Sequence, residues 1–281
     1  MGSWLLGAPG RWQPEPVVPP PVALLSGYSV FTTLRVPCPE PWLAAHWQRL
    51  VAHAAQLNLA CPEGLEPLSA LIKTWDPTTP LVLRLTVWPE VLQWTEILSA
   101  EGPLPAHLLV TTHPWQPSVG PVWVQPVLYE RPLPQIKHGG YTADWLARRA
   151  ARRLGADEVL RVNSADQLTE SSVGNVFLIT DAGLWTPDPV QDGCLDGLMR
   201  QAVLTEAPAQ GWACQVGAIP RTALSQASGA FLTNSSWGIR PVEGWVADTG
   251  LRHPLPWPAG LRERLAQLAQ ALTGCYLPDK S

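Results

Sequence analysis

Two residues of this chain have the type and setting for amine chemistry, Lys137 and Glu170. Lysine occurs only at positions 73, 137 and 280, and every guanidinium-free cation outside histidine is one of these three. Lys280 lies one residue from the C-terminus and reads as a solvated tail. Lys137 sits in Gln135-Ile136-Lys137-His138-Gly139-Gly140-Tyr141, after a proline-broken stretch and before a long helix. A lone lysine is ordinarily a surface amine with a pKa of about 10.4. Here a chain that otherwise uses arginine has kept a lysine beside two glycines, where a bulky group could approach the backbone. Glu170 follows in Thr169-Glu170-Ser171-Ser172-Val173-Gly174-Asn175-Val176-Phe177, a carboxylate framed by small polar residues and leading into an apolar strand. An amine for a Schiff base and a carboxylate for a pyridine nitrogen are together what pyridoxal phosphate requires.

A phosphate would need positive charge and backbone donors. Arg49 offers the first, and Gly197-Leu198-Met199-Arg200 at a helix start offers the second, because free N–H groups there form an anion site. Thr233-Asn234-Ser235-Ser236 adds a polar turn between apolar strands. Other site types score poorly. The six histidines show no His-x-His or His-x-x-x-His spacing, so no metal centre is expected. Gly27-Tyr28-Ser29-Val30-Phe31 misses a nucleophile elbow, since Phe31 stands where the second glycine belongs. His138 reads as a locally hydrogen-bonded side chain, with proton transfer beside Lys137 as the other reading.

These residues need elements to hold them. Ser29–Pro37 has strand density. Pro41 opens a helix to about Leu59, with Leu43, Trp47, Leu50, Val51, Ala54 and Leu57 at helical spacing and Arg49 pointing off that stripe between His46 and His53. Leu81–Trp88 and Val122–Leu128 read as strands, with prolines breaking up the interval between them. Thr142 caps a helix to Leu154, ended by Gly155, whose arginines 148, 149, 152 and 153 form a solvated stripe. Residues 158–163 and 167–171 form a hairpin, and 175–180 turns at 181–183 into 184–186. Helix 197–207 stops at Pro208. Short strands follow at 214–219, 230–233 and 239–242, then a closing helix over 258–273. The first 25 or so residues, rich in proline, read as an irregular lead-in with room for one short strand.

Composition suits a compact enzyme. The chain has 281 residues, 46% of them hydrophobic, which supplies a core for two domains despite 31 prolines. The formal net charge of −4 argues against a nucleic-acid partner. No apolar run reaches the roughly 18–20 residues of a membrane span, and the N-terminus lacks the charged region of a signal peptide. Cys38, Cys61, Cys194, Cys214 and Cys275 are odd in number and widely spaced, as free thiols of a reducing, cytoplasmic compartment would be.

From about residue 27 to 245 the chain resembles the class IV aminotransferases, the fold-type IV pyridoxal-phosphate enzymes. Beyond the stretches already quoted, the likeness rests on Phe31-Thr32-Thr33-Leu34-Arg35-Val36, His46-Trp47-Gln48-Arg49-Leu50, Gly155-Ala156-Asp157-Glu158-Val159-Leu160, Leu195-Asp196-Gly197-Leu198-Met199-Arg200-Gln201 and Thr233 to Val242. The resemblance implies an α/β (α+β) fold of two domains with pyridoxal 5′-phosphate in the interdomain cleft. The expected division is residues 1–128, a linker at 129–134 and a cofactor-binding domain over 135–281. Lys137 would be the Schiff-base lysine and proton shuttle, and Glu170 the partner of the pyridine nitrogen. Arg49, the amides of Leu198 and Met199, and the Asn234-Ser235 turn would bind phosphate, with Tyr141 near the phenolic oxygen. A small-molecule substrate and a homodimer are likewise implied.

Within the family, Phe31-Thr32-Thr33-x-Arg35, Ile136-Lys137-His138 and Gly197-x-Met199-Arg200-Gln201 resemble its carbon–oxygen lyase branch. Thr32, Thr33 and Arg35 would then face the substrate. A D-amino-acid or branched-chain aminotransferase using the same residues is the alternative, and a chain without catalysis is a third reading. Two stretches depart from the family pattern. Trp88-Pro89-Glu90 replaces a Gly/Arg loop, and the N-terminal strand region is unusually rich in proline.

Overall fold

The computed structural model describes residues 2–7, 11–14, 27–76, 78–91, 93–117 and 120–276; for 2–7, 11–14 and Cys275 it describes the backbone alone. Most of the proline-rich lead-in, including Pro19-Pro20-Pro21, and Lys280 lie outside these residues. Contacts divide the chain into two compact units. One comprises Met1–Gln116, Ile136–Tyr141 and Gly274–Ser281, the other Pro117–Gln135 and Thr142–Thr273.

The first unit contains β1 (Gly2–Gly7), β2 (Arg11–Pro14), β3 (Val30–Val36), α1 (Glu40–Gln56), β4 (Leu59–Ala60), α2 (Leu65–Lys73), β5 (Leu81–Pro89), α3 (Trp94–Ser99) and β6 (Leu104–Pro114). Its sheet runs β2-β1-β6-β5-β3, with β4 beside β6. Strand alternation gives β3 two faces. Val30, Thr32, Leu34 and Val36 are buried on one of them, and α1 packs against this strand with Leu43, Trp47, Leu50 and Ala54. Phe31, Thr33 and Arg35 occupy the other. Residues 136–141 belong to this unit because Val30 bridges His138 and the Phe31 N–H donates to Lys137 O at 2.9 Å.

The second unit contains β7 (Val122–Leu128), α4 (Thr142–Arg153), β8 (Glu158–Val162), β9 (Gln167–Ser171), β10 (Asn175–Thr180), β11 (Gly183–Thr186), α5 (Leu198–Glu206), β12 (Cys214–Val216), β13 (Ile219–Pro220), β14 (Gly229–Asn234), β15 (Gly238–Val246), β16 (Arg252–Pro254) and α6 (Leu261–Ala271). The path β10-β14-β15-β7-β8-β9 closes on itself through one further pair, Glu170 with Asn175. Alternate residues of these strands (Val176, Leu178, Leu232, Val124, Leu160, Leu168) share one fully buried core, the period-two signature of a closed sheet. Ala151 of α4 packs on Val159 and Val246 in a separate cluster.

The structure departs from several sequence expectations. Strands β1 and β2 lie in the lead-in where at most one was expected. The interval read as proline-broken holds α3 and the eleven-residue β6, whose Pro105 and Pro114 fall near its ends. Helix α2 was not foreseen. Pro208 does not stop the chain's helical path but sits in a 3-10 turn, Ala207–Gln210, that extends it. The division between units falls at 116/117 rather than at 129–134, because β7 pairs with β15 and β8. Among the described residues no helix is long and apolar enough to cross a membrane, and no group of three metal-ligating side chains occurs.

Candidate active site

In the first unit the chemistry gathers around Lys137. Its Nζ donates to the Tyr141 hydroxyl at 3.3 Å and lies 4.7 Å from the centroid of the Phe31 ring. Its backbone N–H donates to His53 Nδ1 at 3.1 Å. His53 comes from α1, and so do His46 and Arg49, spaced so that the three share a flank of the helix. Sequence reading put Arg49 off the apolar stripe without saying what it meets. It meets Thr32: Arg49 Nη2 donates to Thr32 Oγ1 at 2.9 Å, and that hydroxyl contacts His46 Nδ1 at 2.6 Å. Oγ1 thus accepts from arginine and shares one further hydrogen bond with the His46 imidazole. Burial, then the charges of Arg49 and Lys137, hold His46 well below the ordinary histidine value.

Three expectations change here. Thr32, expected to face a substrate, is fully buried, with its hydroxyl bonded to His46 and Arg49. Arg35 lies four residues along β3 from Phe31, on the order of 13 Å away, with its guanidinium 3.8 Å from the Trp115 ring; it is not gathered with Lys137. Gly139 and Gly140 admit the chain's own backbone. A Cβ at Gly139 would meet Ser29 Oγ and Gly27 O, and Gly27, at φ 65°, rests on Gly140. Thr33 remains on the Phe31 face, half-buried and paired with Arg84 of β5. His138 Nδ1 accepts from the Gly140 N–H at 3.1 Å, the local bond expected.

Arg84 is a residue of this unit that sequence reading missed. Its guanidinium carbon lies 3.5 Å from the Phe31 centroid, and Nε donates to Thr86 at 3.3 Å. Burial pulls it below the ordinary arginine value, partly offset by Tyr141. No carboxylate pairs with it among the described residues. The signal was present, an arginine inside the apolar run Leu81-Val82-Leu83-Arg84-Leu85.

In the second unit, Asn175 is the hub. It pairs with Glu170 across the closing bridge and with Thr233 of β14, and its Nδ2 donates to Leu195 O at 2.6 Å. These links, two through the backbone and one through the side chain, bring Glu170, the lead-in to α5 and the strand end before the Asn234-Ser235 turn around one residue. Glu170 Oε2 accepts from the Leu195 N–H at 3.2 Å, and Oε1 from Arg161 Nη1 at 2.6 Å. The α5 N-terminus, with Leu198 and Met199 as its first residues, has no side-chain cap. Asn234 Oδ1 accepts from the Ser236 and Trp237 N–H groups at 2.9 and 3.1 Å, which shapes the turn that carries Ser235. Ser235 is buried, and the buried Thr233 hydroxyl has no hydrogen-bond partner among the described residues.

The sequence pattern of the class IV aminotransferases matches residues 29–245. The branched-chain-amino-acid aminotransferase of Pseudomonas aeruginosa is 26% identical over 230 residues, 76% of this chain and 74% of that protein. The D-alanine aminotransferase of Listeria monocytogenes serotype 4b is 25% identical over 224 residues, 75% of this chain and 76% of its own length. Among solved structures, a Legionella pneumophila protein provisionally assigned as a 4-amino-4-deoxychorismate lyase is 25% identical. It covers 92% of this chain and 96% of its own, with a TM-score of 0.74.

Proposed function

The chain belongs to the class IV aminotransferase family, and from that premise we propose that it converts 4-amino-4-deoxychorismate to 4-aminobenzoate and pyruvate. Members of this family are pyridoxal-phosphate enzymes, and pyridoxal 5′-phosphate is the cofactor. The residues fit that group. The uncapped α5 N-terminus offers backbone donors to a phosphate, the unpartnered Thr233 hydroxyl offers one more, and buried Glu170 offers a carboxylate to a ring nitrogen. Lys137 Nζ is assigned the covalent attachment. Arg49 and the Leu198, Met199, Asn234 and Ser235 positions are assigned the phosphate, and Tyr141 the phenolic oxygen.

When bound, the cofactor supplies an electron sink for the carbon that bears the substrate nitrogen. Lys137 Nζ takes the proton from that carbon, with the Tyr141 hydroxyl at 3.3 Å holding the amine in place. Loss of that proton lets the C–O bond on the adjacent carbon break, so that enolpyruvate leaves, takes up a proton at carbon to become pyruvate, and the ring becomes aromatic.

The observation that carries the lyase reading is Arg84. It is an arginine without a carboxylate partner among the described residues, set against the same Phe31 ring that Lys137 approaches. An α-amino acid carries its carboxylate on the carbon next to nitrogen. The proposed substrate carries one across its ring from the amine, which suits a second cation set against the same Phe31 ring as the lysine. The likeness to the Legionella protein supports the same reading. An amino-acid aminotransferase is the second reading, favoured by the activities of the Pseudomonas and Listeria relatives. The working unit is proposed to be a homodimer, in which a partner chain could cover the exposed Trp145 and Leu146 of α4.

Incubation with 4-amino-4-deoxychorismate and no 2-oxo acid separates the readings. Pyruvate and 4-aminobenzoate are expected in equal amounts over many turnovers. Turnover that requires a 2-oxo acid and leaves pyridoxamine phosphate would refute the lyase and establish the aminotransferase.

A further inference from the structure

Beneath Glu170 lies a buried cluster of charges that the proposed reaction does not use directly. Arg161 of β8 donates from Nη1 to Glu170 Oε1 at 2.6 Å, from Nε to Asp144 Oδ1 at 2.9 Å, and from Nη2 to the same Asp144 oxygen. Tyr129 donates to that oxygen at 2.7 Å. The side chains of Arg161, Asp144 and Glu170 are 3%, 4% and 5% exposed, so water does little to screen them. Two carboxylates and one guanidinium leave one net negative charge. The neighbouring Tyr129 hydroxyl and Cys194 thiol are both pushed up, chiefly by burial, and stay uncharged.

Packing alone gives no reason for such a cluster. Buried ion groups are poor stabilisers, because desolvation offsets most of their attraction. Asp144 Oδ2 is buried without a hydrogen-bond partner among the described residues, a further cost. Arg161 and Glu170 by themselves would cancel, and a cationic ring nitrogen would then meet no net charge. Asp144 restores the missing negative charge.

We infer that Asp144 is a positioning residue for Glu170, neutralising Arg161 so that the buried cluster keeps the single negative charge needed to hold a protonated ring nitrogen. This rests on the reading of Glu170 as the partner of that nitrogen. Asp144→Asn is a clean probe. It keeps the oxygen that accepts from Arg161 and Tyr129, and places its amide where Oδ2 already has no partner.

The test compares the affinity of apoprotein for pyridoxamine 5′-phosphate with that for its 1-deaza analogue, in which CH replaces the ring nitrogen. Wild type should prefer the nitrogen ring. Asp144→Asn should lose roughly tenfold or more of that preference while binding the deaza analogue as before. The double variant Asp144→Asn/Arg161→Gln again has one net negative charge and should recover most of the preference. Equal weakening of both ligands in Asp144→Asn, or no change in their ratio, would overturn the inference. So would failure of the double variant to recover. Glu170→Gln serves as the separating control. If it leaves the ratio unchanged, the assignment of Glu170 itself fails; if it lowers the ratio and Asp144→Asn does not, only the inference about Asp144 fails.

Discussion

At the scale of single residues, side chains prepared for a ligand are held by others that never touch it. Thr32 is one such buttress, since its hydroxyl ties Arg49 to a neutral His46. His46 has a testable consequence. Its folded-state value lies well below 6.5, so the unfolded chain binds a proton at His46 before the native protein does. Stability should therefore decline as pH falls below about 6.5, and the loss should continue down to the folded value. Denaturant unfolding across pH 7.5 to 5, with His46→Asn for comparison, measures this; equal slopes in the two proteins would contradict it. The resemblance suggested a substrate role for Thr32 from its place in Phe31-Thr32-Thr33-x-Arg35. Which way it points depends on its strand register, which puts it on the face opposite Phe31. Motif matching does not resolve that parity.

At the scale of elements, positions near the chemistry are set by close approaches. A Cβ at Gly197 would collide with Asn175 Oδ1, of the side chain that also holds Leu195, on the residue whose backbone pairs with Glu170. Gly197→Ala should displace Asn175 and shift the α5 N-terminus. It should cost about 1–3 kcal/mol in denaturant unfolding and weaken inorganic phosphate binding to the apoprotein. Unchanged stability and phosphate affinity would show that Asn175 has room to move. Most elements around the site were legible in the sequence. β3, α1, the β8–β9 hairpin, the β10–β11 turn and α4 all follow from periodicity and turn residues. What escaped did so for a physical reason. Proline disfavours a strand only where its missing N–H is needed, and Pro105 and Pro114 of β6 stand near the strand ends. Helix α3 is too short for periodicity to reveal. The closing Glu170–Asn175 pair depends on the path of the whole sheet, which no local pattern records. The two missed arginines, Arg84 and Arg161, were visible as charges inside apolar strands, yet the Phe31 ring, Asp144 and Glu170 that they meet lie on other elements.

At the scale of the whole molecule, the account joins family membership over residues 29–245 to an assignment of chemistry residue by residue. Assembly is one consequence, and sedimentation should give a dimer; a stable, active monomer would contradict the proposed homodimer. The central claim is that Lys137 carries the cofactor, and covalent capture tests it most directly. Protein reconstituted with pyridoxal 5′-phosphate would be reduced with borohydride, digested and mapped by mass. The account predicts a phosphopyridoxyl group on the peptide containing Lys137, and no labelling of the native site in Lys137→Ala. Capture on Lys73 instead, or retention of the same label in Lys137→Ala, would contradict it.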